Sequence, residues 1–150
     1  MWDYPRPPRV EAVPERLRVI VGEEVLADTT RGLRVLETAG PPVYYIPGDD
    51  IRMERLLASP HTSFCEWKGG ASYVSYAHAG RLIDNVGWTY PDPNPAYASI
   101  AGCIAFYAGR VDAAWVGEEL ATPQPGGFYG GWITSRIVGP FKGEPGSGGW

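Results

Sequence analysis

The sequence predicts a mainly β fold, a compact antiparallel sheet domain with one short helix and a Gly/Pro-rich C-terminal extension. Three observations lead there. Glycine (20) and proline (15) are both abundant in 150 residues, which suits many short strands joined by turns and disfavours long helices. Arg81 to Tyr90 alternates so that Leu82, Asp84, Val86, Trp88 and Tyr90 share one face, the period of a strand. Hydrophobic residues make up 44% and aromatics 13%, enough for one packed core at this length and too many for global disorder.

Residues 1–16 form an extended arm with four prolines, and Trp2 and Tyr4 are placed to pin it to the body. Leu17 to Val21 reads as a strand, Gly22-Glu23 as a two-residue hairpin turn, and Glu24 to Asp28 as the return strand. Arg34 to Thr38 is a third strand, broken by Gly40-Pro41-Pro42. Val43 to Ile46 is a fourth, ended by Pro47-Gly48. Asp49 or Asp50 then caps a helix of about two turns over 51–57, and Ser59-Pro60 stops it.

Thr62 to Trp67 and Ser72 to Tyr76 form a hairpin about Lys68-Gly69-Gly70. Arg81 to Tyr90 is the long strand, and Pro91 to Pro95 a rigid turn. Ala96 to Ile100 has room for one helical turn. Cys103 to Tyr107 and Val111 to Val116 read as a last hairpin. The domain thus spans 17–116. Residues 117–150 are rich in Gly and Pro, yet carry Phe128, Tyr129, Trp132, Ile133, Ile137, Val138, Phe141 and Trp150. A solvated linker does not need such anchors, so the extension is expected to pack on the domain or on a second copy.

The net charge of −4 argues against sequence-independent nucleic-acid binding, whose affinity comes from neutralising phosphates. The cations Arg52, Arg55 and Lys68 are diluted by Asp49, Asp50, Glu54 and Glu66. No apolar run approaches the roughly 18 residues of a membrane helix, and the N-terminus lacks a signal-peptide core. A cytoplasmic protein without nucleic-acid or membrane partners is expected. Zinc, another metal or a cofactor is not expected either: His61, Cys65, His78 and Cys103 include no C-x-x-C pair, and structural zinc needs four closely spaced ligands.

Several stretches resemble one family. V-L-A-D-T-T-R-G-L-R-V-L-E-T, P-P-V-Y-Y-I-P-G-D-D-I-R-M-E-R-L, C-E-W-K-G-G-A-S-Y, W-T-Y-P-D-P and I-A-G-C-I-A-F-Y follow one another within residues 17 to 116. In that order they are similar to the domain of unknown function 427 family, sometimes labelled nucleotidyltransferase-like. The ending G-G-F-Y-G-G-W-I-T-S-R-I-V-G-P-F-K-G-E-P-G resembles an extension that some members carry. The resemblance implies a β-tent, or Mss4-like, fold. Relatives of that shape often bind zinc through paired C-x-x-C knuckles, which this chain lacks. Nucleotidyl transfer normally uses clustered carboxylates on Mg²⁺ and a glycine-rich phosphate cradle; here Asp49-Asp50 is the adjacent aspartate pair, and it suits a helix cap.

Candidate site residues gather between 37 and 90. Tyr45, Tyr73, Trp88 and Tyr90 supply aromatic walls, and Glu37, Arg52 and Lys68 convergent charge, a composition suited to a small-molecule pocket. The alternative is a β core of aromatics with charges on its rim. Cys65, three residues from Lys68, is the candidate catalytic thiol and a candidate ligand contact, since cations lower a thiol's pKa; a small buried apolar residue is the competing reading. Cys103 reads as core. His61 and His78 are general-base types in loop contexts.

The expected function is binding of an unknown small molecule, planar or anionic. Alternatives are an enzyme using Cys65 or the Arg52/Lys68/Glu37 set, and an interaction protein forming a homodimer.

Overall fold

The computed structural model describes residues 9–36, 41–65, 68–123 and 130–134. Along the chain the strands are β1 (Arg9–Ala12), β2 (Leu17–Val21), β3 (Glu24–Thr29), β4 (Leu33–Leu36), β5 (Val43–Pro47), β6 (Leu56–Cys65), β7 (Gly69–His78), β8 (Arg81–Thr89), β9 (Cys103–Phe106), β10 (Ala113–Val116), β11 (Glu119–Leu120), β12 (Thr122–Pro123) and β13 (Trp132–Ile133). Seven of them form one antiparallel sheet in the order β1-β4-β5-β9-β8-β7-β6. A second sheet has the order β11-β10-β2-β3, and β12 pairs with β13. The mainly β, antiparallel class read from composition and alternation is the class observed.

The central strands of the large sheet are buried on both faces, which is why V-Y-Y-I and C-I-A-F are apolar without a break. Tyr44, Ile46, Ile104 and Phe106 point into a core shared with Leu17, Val19, Val21 and Leu26 of the small sheet. Tyr45, Cys103 and Ala105 point the other way, into a second cluster with Tyr73, Trp88, Tyr90, Tyr97, Ile100 and Tyr107. Each fully buried Ile or Leu of the inter-sheet core stabilises by about 1.5–3 kcal/mol. Aromatic rings dominate the second cluster, and the candidate site is built on it.

Val21 pairs with Glu24 around Gly22-Glu23. Gly22 has φ +63, the left-handed value that a primed hairpin turn needs and glycine supplies without strain.

Three local expectations are corrected. The helix over 51–57 is replaced by single 3-10 turns, Gly48–Asp50 and Met53–Arg55, followed at once by β6. Ile51 is the cause: it bridges to Ala27 and is buried between the sheets. Asp50 caps nothing, and instead accepts from Thr29 Oγ1 at 2.7 Å and Arg31 Nη2 at 3.1 Å. Ser59-Pro60 does not stop the chain either. It lies in a register shift of β6, the outermost strand, where a residue without an N–H is tolerated. Finally, Cys103–Phe106 and Ala113–Val116 are not a hairpin: β9 lies between β5 and β8, whereas β10 pairs with β2 in the other sheet.

The alternation read along 81–90 also breaks. Val74 pairs with Gly87 but Tyr76 with Ile83, so two steps on β7 face four on β8. Asn85 takes the extra turn with φ 49, a left-handed conformation that asparagine tolerates. Its N–H donates to Ser75 Oγ at 3.0 Å, and its carbonyl accepts from Arg110 Nη1 at 2.7 Å. The bulge re-phases the strand. Ile83 and Val86 both reach the inter-sheet core, and Leu82 is left 61% exposed.

Candidate functional site

The second cluster is covered incompletely, and the gap is a cavity of about 250 Å³. Val43 and Tyr45 of β5, Tyr73 of β7 and Trp88 of β8 line it, with Tyr90 and Tyr107 just beyond strand ends. Ser63, Phe64, Cys65 and Lys68 close one side from the β6–β7 hairpin. Gly130 closes another, lying against the six-membered ring of Trp88 where any side chain would overlap it.

The walls are fixed by contacts among the rings. Trp88 Nε1 donates to Tyr45 Oη at 3.3 Å. The Trp88 ring lies 4.8 Å from Tyr107 and 6.5 Å from Tyr73, centroid to centroid, while Tyr45 meets Trp88 edge-on at 6.4 Å. Tilted and edge-on pairs at such separations are favoured by ring quadrupoles. Ser63 Oγ and Tyr73 Oη share a hydrogen bond of 3.1 Å. Burial, then a hydrogen bond with Tyr73, pushes the Tyr107 phenol well above its ordinary pKa. Arg110 stacks on the outer face of Tyr107 at 4.0 Å.

Lys68 is the cation of this site. Its residue is only 5% exposed, and its Nζ sits 5.8 Å from the Tyr90 ring centroid. The backbone around it is tied down, with Asn94 N donating to the Lys68 carbonyl at 3.0 Å. The cavity therefore offers flat apolar walls, phenolic and hydroxyl groups, and one ammonium.

A family model described as Domain of unknown function (DUF427), with the label NTP_transf_9, matches residues 9–117. The chain belongs to that family. None of the curated proteins compared with it matches. In this DUF427 domain the matched stretch runs from β1 through β10, so it includes every cavity-lining residue except Gly130.

Of the residues singled out from sequence, the DUF427 domain brings Tyr45, Cys65, Lys68, Tyr73, Trp88 and Tyr90 around one cavity. Arg52 is elsewhere, which corrects the expectation that it joins Lys68. Its backbone N–H donates to Leu26 O at 2.8 Å and its Nε to Val25 O at 3.3 Å, so the burial of Ile51 carries it to the small sheet. Glu37 lies outside the described residues. Lys68, read as a rim charge, is buried. His61 packs edge-on against Tyr73 at 4.5 Å, and His78 is exposed at the end of β7, opposite Arg81. Among the described residues no group of three His, Cys, Asp or Glu side chains is placed to hold a metal ion.

Sequence reasoning missed Val43, Ser63, Phe64, Tyr107 and Gly130. Tyr107 and Val43 carried a usable signal, since each lies two residues from a second-cluster residue in its own run, Ala105 and Tyr45. Gly130 carried none, because its contact with Trp88 joins distant parts of the chain.

A second cavity of about 430 Å³ is lined by Glu15, Arg34, Tyr44, Val116, Gly117, Glu118, Glu119 and Thr134. Arg34 is engaged by Glu11 at 2.8 Å, and three glutamates face the space. It is larger but has one aromatic wall, and the smaller aromatic cavity holds the convergent chemistry. No helix among the described residues is long and apolar enough to cross a membrane.

Proposed function

We propose that this DUF427 domain is a small-molecule-binding module whose ligand is flat and enters between the β6–β7 hairpin and the Tyr45–Trp88 wall. The observation that carries the reading is the convergence of Tyr45, Tyr73, Trp88, Tyr90 and Tyr107 with a buried lysine on one open cavity. A β core that merely needed filling would close over its rings. Catalysis by a joint Arg52/Lys68/Glu37 set is not favoured, because Arg52 is held on the small sheet.

The test is a ligand-observed NMR screen of planar fragments, repeated on the Ser63→Phe variant. Ser63 is half-buried on the cavity side of β6, so phenylalanine there fills the cavity without cutting the core. Binding in the native chain and loss in the variant is the expected pattern. Fragments that bind Ser63→Phe undiminished, or no binding at all, would sink the reading.

A further inference from the structure

We propose that the cavity takes a neutral aromatic ring system with few hydrogen-bonding groups, and discriminates against ions of either sign. This rests on the ligand-binding reading above and adds the chemical class of the ligand.

Polar groups line the cavity, yet they are already engaged with one another. Ser63 Oγ and Tyr73 Oη share a hydrogen bond of 3.1 Å, and Tyr73 is also hydrogen-bonded with Tyr107. Trp88 Nε1 donates to Tyr45 Oη. Lys68 holds its Nζ 5.8 Å from the Tyr90 ring centroid, and both residues take part in further interactions. Cys65 adds a thiol, a weak donor and a weak acceptor. Among the described residues, the fully buried side-chain nitrogen or oxygen that lacks a partner is Arg18 Nε, on β2 and outside this lining. A ligand that needs hydrogen bonds here has to break some of those already made, and each one broken leaves a buried group unpaired. A ligand that presents only ring faces and edges breaks none.

Charge is disfavoured in both signs. Any ion gives up hydration on entering. No carboxylate lines the cavity among the described residues, so a cation meets no counter-charge there. Ring faces by themselves attract cations, but the Lys68 ammonium already lies by Tyr90 and repels a second positive charge. An anion meets an ammonium whose residue is 5% exposed and whose interactions are already made. Pairing with it means displacing them.

What the cavity leaves unused is aromatic surface. Trp88 stands between Tyr107 at 4.8 Å and Tyr73 at 6.5 Å, tilted to both, with Tyr45 edge-on to it. An added ring gains offset or edge-on contact with these walls. The volume of about 250 Å³ falls just under the ~300–1,000 Å³ of sites for drug-sized ligands, which suits a body of about two fused rings.

The experiment is a ligand-observed NMR titration of the full chain into naphthalene, 2-naphthol, 2-naphthoate and 2-naphthylmethylammonium at pH 7. Naphthalene and 2-naphthol should bind within a few-fold of each other, because the hydroxyl finds its potential partners occupied. Each ion should bind at least about tenfold more weakly than naphthalene, a difference of about 1.4 kcal/mol. Ser63→Ala removes one partner of Tyr73 Oη, so this variant should prefer 2-naphthol over naphthalene by several-fold.

Either ion binding the native chain as tightly as naphthalene overturns the inference. So does a hydroxyl that improves native affinity tenfold, or a Ser63→Ala variant that shows no hydroxyl preference. In each of these cases, binding that is lost in Ser63→Phe leaves the aromatic cavity as a ligand site. Absence of binding by all four compounds overturns the inference, and the fragment screen then decides the broader reading by itself.

Discussion

The indole nitrogen of Trp132 donates to the Phe106 carbonyl at 2.8 Å. Trp132 comes from the Gly/Pro-rich extension, and Phe106 from the middle of the large sheet. The indole is fully buried, 5.1 Å from the Tyr44 ring, and belongs to the inter-sheet core. Trp132 N also donates to Pro42 O at 3.0 Å. The short segment 130–134 is thus part of the fold.

The first prediction follows from that contact. Trp132→Ala should cost about 3–5 kcal/mol of folding free energy, the range for truncating a buried ring. Trp132→Phe should cost less, about 1–3 kcal/mol, mainly by leaving the Phe106 carbonyl unpaired. Urea unfolding followed by circular dichroism reads both. A midpoint unchanged in Trp132→Ala would mean the segment is not docked in solution.

The strands were legible because alternation and turn residues are local signals. Gly22-Glu23 marked its hairpin, and the runs at 17–21, 43–46 and 72–76 gave their strands. What sequence could not show was partnership. Val111 to Val116 is a strand on its own evidence, but its partner is Leu17–Val21 rather than the adjacent run, and no local property of either segment says so. The 51–57 stretch read as a helix from Asp49 or Asp50 as a cap before it and Ser59-Pro60 as a stop after it. The bridge from Ile51 to Ala27 overrode that weak propensity. The candidate site divided along the same line. Tyr45, Tyr73 and Trp88 lie on strands that local signals marked, so they were found together. Arg52 sits on the misread stretch, and its placement failed with it.

Gly130→Ala gives a second prediction. A methyl group there overlaps the Trp88 ring, so either the segment lifts or the indole moves. Overpacking of this kind costs about 1–3 kcal/mol. The same displacement should weaken the binding of planar fragments, because Trp88 is a wall of the cavity. Thermal unfolding and ligand-observed NMR measure both. An alanine accepted with neither effect would show that Gly130 does not cover Trp88.

A pH-dependent contribution is expected at Asp112. Arg81 grips its carboxylate with two hydrogen bonds, at 2.8 and 2.9 Å, and Gly22 N donates a third. The Arg81 bonds, then the Gly22 N–H, hold its pKa down to about 2, against about 3.9 in an unfolded chain. A depressed carboxylate stabilises the fold above the unfolded value and loses that contribution as pH falls through the folded one. Asp112→Asn should therefore lower stability at pH 7 by about 1 kcal/mol, a modest figure because the side chain is 42% exposed. The gap from the native chain should close between about pH 4 and pH 2. A gap that stays constant over that range would remove Asp112 from the account.

The two cysteines should part company in their reactivity. Cys103 is buried in the second cluster, its Sγ 3.9 Å from the Ser99 carbonyl. Burial pushes its thiol above the ordinary pKa, so little thiolate is present at neutral pH. Cys65 is partly exposed and borders the cavity. Iodoacetamide at pH 7.5 should therefore label Cys65 in the native chain and reach Cys103 only on unfolding, as peptide mass spectrometry can resolve. Cys65 borders the cavity, so a planar fragment bound there should slow its labelling several-fold in the native chain and leave it unchanged in Ser63→Phe. Labelling indifferent to a fragment shown to bind would place that fragment outside the cavity.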